Sequence, residues 1–542
     1  MISRQRPLPY RAGTAVTAVV LTLALSACGS AGADGGDDAG ATGGGSISVA
    51  VTDPIQTVPA RQTVAYDLNM AVWSPLTWVD AEGELTYVAA ESIESDDATT
   101  WTVTLRDGWT FHDGTPVTAQ SYVDSWNAVA YGPDAFENSG QLAGIAGYDD
   151  LNPAEGDPET TEMSGLAVTD DLTFTVTLDG PDGQFPMQVS QAQTAMYPMP
   201  ASALEDMEAY NTHPVGNGPF AVVGDYVENE PIETEAYADY QGTAPTVDAI
   251  TFVPYADATT AYTDVQAGNI DVASVPAARL PQASGDFGER LYTFEAPGIS
   301  FLGLPLWDER YEDVRVRQAI SMAIDRETIS DVVYGGLYTP ATAFTPAVEA
   351  GTPEGICGDF CAYDPTAAKA LLDEAGGFDG TIDIYFPGGI GLDELYKAIA
   401  NQLRQNLGVE AVATPSADWA EFSEKRTAGD IDGPFFSRWG ALYPSQQNTL
   451  RSFFVENGGC PNCIPYYEDD VADLIAAADA EADPDAAGAA YAAVQDLLLE
   501  DFPAPPLFFE TYSYVTSERV AELPTSAVGN PTFSAVVLAE GA

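Results

Sequence analysis

Basic residues are scarce in this chain. Lys and Arg number 19 against 82 Asp and Glu in 542 residues, a formal net charge of −63. A surface of that sign repels phosphate backbones and anionic lipid headgroups, so nucleic acid is not an expected partner. The acid itself reads either as a heavily solvated exterior or as an attraction for cationic solutes. Histidine is scarcer still, with two residues. His213 precedes Pro214 in a Gly-rich turn, where a lone imidazole is ordinarily structural, and the same reading applies to His112. Local signatures of catalysis are missing too: there is no Walker loop, dinucleotide fingerprint, HExxH or GxSxG, and no internal repeat. Carboxylates are so numerous that no pair stands out as a glycosidase dyad. Neither an enzymatic activity nor a cofactor is therefore expected.

Cysteine is also sparse, at five. Four fall in two close pairs, Cys357 with Cys361 and Cys460 with Cys463. Outside the cytosol two local disulfides are the default. The spacings resemble zinc knuckles, but no His lies near and roughly a hundred residues part the pairs. Cys460-Pro-Asn-Cys463 could serve redox chemistry, yet no thioredoxin-like unit surrounds it.

What the chain does have is length, apolar residues at 45% and aromatics at 10%, enough for two or three globular domains. Its N-terminus reads as a targeting segment. Arg4, Arg6 and Arg11 precede the apolar run Thr14 to Leu25, which ends in Leu25-Ser26-Ala27-Cys28. That ending looks like a bacterial lipobox, with residues 1–27 removed and Cys28 acylated; an ordinary secretory signal with an incidental Cys is the alternative. Acyl chains contribute about 0.8 kcal/mol per buried methylene, so several of them hold a soluble body at a membrane. Residues 28–46, rich in Gly, Ala and Asp, read as a tether.

The most informative stretch is Trp101 to Tyr131. Trp101, Val103 and Leu105 alternate with polar residues, the period of a half-buried strand. Asp107-Gly108 and Asp113-Gly114 supply turns. Thr118 is placed to cap a helix whose Tyr122, Val123, Trp126 and Val129 share one face. Further strands are expected at Ser48 to Val51, Leu172 to Leu178, Ala221 to Val223, Ala249 to Tyr255, Asn269 to Val272 and Phe301 to Leu306. Helices are expected from Ala258 to Ala267, from Asp313 in one piece to Gly335-Gly336, and from Asp364-Pro365 to Ala375. Strand Thr381 to Phe386, helix Asp393 to Leu407 and strand Val409 to Ala413 form a βαβ unit, which argues for parallel pairing. Two helices, Asp469 to Ala482 and Pro484 to Glu500, precede two short strands, Leu507 to Thr511 and Ser513 to Val515.

The segments LRDGWTFHDGTPVTA, HPVGNGPF, VRQAISMAIDRETISDVVYGG, RWGALYPSQQNTL and LLLEDFPAPPLF occur in that order. With the lipobox, they resemble the oligopeptide/dipeptide-binding family (family 5) of extracellular solute-binding proteins of peptide and nickel ABC transporters. The resemblance implies an α/β, two-lobed, periplasmic-binding-protein-like (Venus flytrap) fold with an extra subdomain in the larger lobe. Lobe I would comprise 47–85, 215–295 and 513–542, with 86–214 as the extra subdomain, and lobe II would be 296–512. Strands near Glu295 to Phe301 and Leu507 to Thr511 would cross between lobes. A monomer is implied, tethered by lipid and delivering a small, peptide-like solute to an ABC importer permease. Receptors for oligosaccharides or metal chelates, and surface sensors, reuse the same plan.

The expected ligand-facing segment is Phe435 to Leu450, aromatic and turn-rich. Family members commonly carry W-x-x-D-Y-P here, the Asp pairing with a peptide's α-ammonium. In this chain the run is Trp439-Gly440-Ala441-Leu442-Tyr443-Pro444, so Leu442 stands at the acid's position. A buried ammonium there would lose a charge-assisted bond. The ligand is therefore expected to lack a free α-ammonium at this point: a blocked or cyclic peptide, a peptide anchored elsewhere, or a solute with an anionic or apolar end. Trp439, Ala441, Leu442 and Tyr443 are the expected contacts, with Arg438 a partner for a carboxylate, or else a counter-charge for Asp or Glu. Trp73 and Trp307, each beside Pro near the lobe boundary, are further candidates.

Overall fold

The computed structural model describes residues 44–191, 196–456, 458–460 and 462–541. The leader, Cys28 and almost all of the tether lie outside the described residues. The chain opens with β1 (Ser46–Val51), then forms a hairpin of β2 (Thr77–Val79) and β3 (Leu85–Tyr87). The Gly83 N–H donates to the Asp80 carbonyl in its turn. Next come β4 (Ala90–Glu94), β5 (Thr100–Leu105), β6 (Leu166–Asp170) and β7 (Thr173–Thr177), a separate antiparallel sheet in the order β4-β5-β7-β6. The helix Ala119–Ala130 covers it. Thr118 accepts from the Ser121 N–H in a capping box, and Tyr122, Val123, Trp126 and Val129 are all buried. Tyr122 stacks on Phe174 with ring centroids 5.7 Å apart.

The main sheet follows: β8 (Phe220–Val223), β9 (Ile232–Ala236), β10 (Ala249–Pro254), β11 (Val272–Ser274), β12 (Leu291–Gly303), β13 (Thr339–Pro340), β14 (Thr381–Pro387), β15 (Glu410–Ser416), β16 (Phe435–Gly440) and β17 (Pro506–Thr516). Its order is β15-β14-β16-β12-β17-β11-β1-β10-β9-β8, with β13 on β17. The expected βαβ unit is present: β14 and β15 pair in parallel around the helix Asp393–Leu407. One apolar core gathers β1, β8 to β10, the small sheet and the tail near Phe533. Two others surround β14 to β16 and the helices after β16. These cores mark two lobes. The antiparallel pair β12 and β17 runs through both, β17 meeting β11 at one end while β12 meets β16 at the other. Their register slips between Glu295 and Ile299, where Pro297 cannot donate and Gly298 bends readily.

Several local expectations fail. The strand expected at Asn269 to Val272 begins only at Val272, after a turn, and the one expected at Phe301 to Leu306 is the end of β12, which stops at Gly303 before Pro305. The helix from Asp313 is two helices, Val314–Met322 and Arg326–Val333. Asp325 breaks it by capping the second, accepting from the Thr328 N–H at 3.0 Å. Buried Arg326 is thereby turned towards the carbonyls of Pro506 and Ser321. The last two strands are one, β17, because Tyr512 continues the ladder opposite Phe294. Phe435 to Leu450 is not turn-rich throughout: β16 leads through a short turn into the helix Gln446–Phe454. No helix among the described residues is long and apolar enough to cross a membrane.

Candidate functional site

A cavity of about 700 Å³ opens where the small sheet's lobe meets the helix Gln446–Phe454. Asn138, Asp182 and Gln188 line one side; Trp439, Leu442 and Tyr443 line the other. Its size suits a small-molecule site. The turn after β16 presents the second wall, and Asn448 holds it in shape. The Asn448 Oδ1 accepts from the Trp439 indole N–H at 2.8 Å and from the Leu442 N–H at 3.0 Å. Tyr443 donates its hydroxyl to Gln447 Oε1 at 2.7 Å, and burial pushes its pKa up, so it stays a neutral donor. Leu442 itself is half-buried and offers only methyl groups to the space.

Charge enters from below this wall. Arg451 pairs with Asp479 of its own lobe, Nε to Oδ2 at 2.6 Å, and with Asp182 across the cavity, Nη1 to Oδ2 at 3.2 Å. Gln447 donates to the same two carboxylates at 2.9 and 3.0 Å. Gln188 donates to Asp182 and Gln447 at 2.9 Å each. Both acids are almost wholly buried, and the cross-lobe hydrogen bonds satisfy what would otherwise be unpaired charge. The backbone seals the contact: the Gly183 N–H donates to the Asp479 carbonyl at 2.7 Å. A Cβ on Gly183 would lie 2.2 Å from the Glu481 carbonyl oxygen, so this approach requires glycine.

The remaining expected residues sit elsewhere. Arg438 is not available to a ligand carboxylate as its sole partner; its guanidinium holds Glu510, Nε at 2.8 Å from both oxygens and Nη2 at 2.6 Å. The Glu510 carboxylate in turn keeps it firmly protonated. Ala441 is buried, away from the cavity, its N–H donating to the Pro297 carbonyl at 2.7 Å. Trp73 is fully buried in the first lobe and donates to the Tyr210 hydroxyl at 3.2 Å, beside a different cavity of about 540 Å³. Trp307 lines neither of these cavities. It stacks on Phe435 at 6.3 Å, 44% exposed, with its indole N–H on the Ile431 carbonyl. A Trp beside Pro reads alike from sequence whether it faces a cleft, a core or solvent. Sequence reasoning missed Asp182 and Arg451, and it did not single out Asn448 within the expected segment. Arg451 carried one usable signal, being a cation next to an apolar helix face in a chain with few cations. The cysteines are joined as Cys357–Cys361 and Cys460–Cys463.

The family model described as bacterial extracellular solute-binding proteins, family 5, middle, matches residues 84–459. The chain is 28% identical over 439 residues to the periplasmic murein peptide-binding protein MppA of Escherichia coli, covering 79% of this chain and 80% of that one. It is 27% identical over 427 residues to the probable deoxycholate-binding periplasmic protein YgiS of the same organism, covering 75% and 78%. The solved unliganded open form of the murein tripeptide binding protein MppA superposes with a TM-score of 0.75 at 24% identity, over 90% of this chain and 96% of that one. The two-lobed α/β architecture is therefore that of periplasmic binding proteins.

Proposed function

Since the chain belongs to the bacterial extracellular solute-binding proteins of family 5, we propose that it captures a peptide or peptide-like solute between its lobes and delivers it to an ABC importer permease. The observation that carries this reading is the cavity between the lobes, with Trp439, Leu442 and Tyr443 facing Asn138 and Asp182. Relatives named for peptide binding, such as the murein peptide-binding protein, support the ligand class. Contacts from both lobes would favour the closed arrangement, and the permease would read that closure. Movement would pivot at the slip between Glu295 and Ile299, where the two crossing strands are least regular. We assign 47–85, 215–295 and 513–542 to lobe I, 86–214 to its extra subdomain and 296–512 to lobe II. Acylated Cys28 would hold a monomer at the outer face of the cell membrane.

Leu442 is the reason to expect a ligand without an ammonium at this wall. The same apolar surface supports a second reading, a non-peptide solute, and one relative is named for deoxycholate binding. Mass spectrometry of ligand carried through native purification separates the two. A peptide or peptide conjugate is expected; a steroid, sugar or chelate would replace the first reading with the second. Radiolabelled palmitate incorporation that disappears in Cys28→Ala tests the anchor.

A further inference from the structure

The first lobe holds another cavity, of about 610 Å³, beyond the carboxyl ends of β1, β10 and β11. β1 lies between β10 and β11 and is parallel to both, so the outgoing loops part at this point. Ligands of open α/β sheets bind in crevices of this kind. Tyr66, Asp67, Tyr255 and Tyr514 contribute to the wall, and no Lys, Arg or His is among the described lining residues.

Its carboxylates are not alike. Asp53 is occupied by its own loop and by the segment before β9, accepting from the Ile55 N–H at 2.9 Å, from the Tyr226 hydroxyl at 2.6 Å and from the Asn229 N–H. Glu228 accepts from the Asn229 side chain. Asp67 accepts no hydrogen bond and meets no cation among the described residues. Its surroundings hold the carboxyl at about 7 through loss of solvation. Such a group is costly to ionise alone and gains most from a cation brought into contact with it. Tyr514 and Tyr512 share one face of β17, and a Cβ on Gly440, the residue after Trp439, would stand 3.2 Å from the Tyr512 hydroxyl.

Resting on the receptor reading above, we propose that Asp67 anchors an ammonium group of the ligand, in the first lobe, in place of the acid absent at Leu442. The cationic end would sit against Tyr66 and Tyr514, and the chain that follows would run towards Trp439. This sets the ligand class as amine-bearing.

Native mass spectrometry of ligand capture tests the inference. The probes are a chymotryptic casein digest, the same digest from casein acetylated at lysine before cutting, and a third acetylated at every amine after cutting. Peptides containing Arg are set aside. The wild-type protein is expected to retain at least ten-fold more from the first digest than from the third, and Asp67→Asn to lose that preference while still binding. Retention from the second digest assigns the α-ammonium; loss there assigns the lysine side chain. Asp67→Ser serves the same comparison if the Asn variant folds poorly, judged by circular dichroism. An unchanged preference in the variants, or none in the wild type, overturns the role of Asp67 and leaves the receptor reading standing. Capture of no peptide from any digest by the wild type overturns the peptide reading itself.

Discussion

Arg451 and Asp182 join the two lobes, Nη1 lying 3.2 Å from Oδ2 across the mouth of the interlobe cavity. Arg451 simultaneously holds Asp479, and both carboxylates are nearly inaccessible to water. The arrangement makes the lobe contact a matter of charge satisfaction. Separating the lobes exposes Asp182 to solvent but leaves Asp479 dependent on Arg451.

Arg451→Met should therefore act twice. It strands Asp479 in the second lobe and removes the tie to Asp182. Removing one partner of a buried pair typically costs about 3–5 kcal/mol, reduced here because the Arg451 side chain is 42% exposed. The expected result is a Tm lower by several degrees together with a larger radius of gyration in solution scattering. Asp182→Asn, which leaves Asp479 paired, should enlarge the radius with a smaller thermal effect. Equal Tm losses in the two variants would contradict this division.

Gly183→Ala should separate what Arg451 ties. The added Cβ would fall 2.2 Å from the Glu481 oxygen, and backbone on both sides leaves no side chain to swing away. Small-angle scattering should show loss of the compact form with the secondary structure unchanged by circular dichroism. A scattering curve identical to wild type would mean that the loop around Gly183 yields instead.

His112 makes folding pH-dependent. Its Nδ1 accepts the Gly216 N–H at 3.2 Å, so its Nε2–H donates to the Gly218 carbonyl at 3.0 Å, and the ring is used as a neutral group. Burial lowers its pKa to about 4. The unfolded chain takes up a proton near 6.5 that the folded chain refuses, so stability is lost as pH falls from about 6.5 to about 4. The slope from this one group is at most about 1.4 kcal/mol per pH unit. Urea melts at pH 7 and 5 should show His112→Gln losing less stability between them than the wild type.

Glu349 has the opposite sign. It is fully buried, takes a hydrogen bond from the Thr449 hydroxyl at 2.7 Å on one oxygen, and has no partner on the other among the described residues. Burial raises its pKa well above the usual carboxyl value. The folded chain keeps a proton that the unfolded chain releases above about 4.5, so this group's contribution falls as pH rises. Glu349→Gln keeps the acceptor for Thr449 and removes the titration. It should gain Tm relative to wild type at pH 8 but not at pH 4.

Periodicity and caps made much of the fold legible. The strand and helix of Trp101 to Tyr131, the helix Ala258–Ala267 ended by Gly268 and the βαβ unit around Asp393–Leu407 all rest on local signals: alternation, an N-cap, a Gly with positive φ. The same logic failed where a local rule was overruled. Apolar spacing from Val316 to Ile324 and the Gly335-Gly336 stop suggested one helix, yet the chain turns at Asp325 to bury Arg326 against carbonyls that include Pro506 of β17. In the candidate site, aromatic composition drew attention to Trp439 and Tyr443, which do face the cavity, and equally to Trp307, which does not.

Sequence alone determined most of the strands and helices and that an aliphatic side chain occupies position 442, because these depend on neighbours within a few residues. Which carboxylate in the first-lobe cavity lacks a partner among the described residues, and which Arg spans the lobes, only the tertiary structure decided. Asp182 and Arg451 are far apart along the chain and meet because β12 and β17 bring the two lobes together; Asp67 has no cation beside it among the described residues, because none of their folded segments delivers one there.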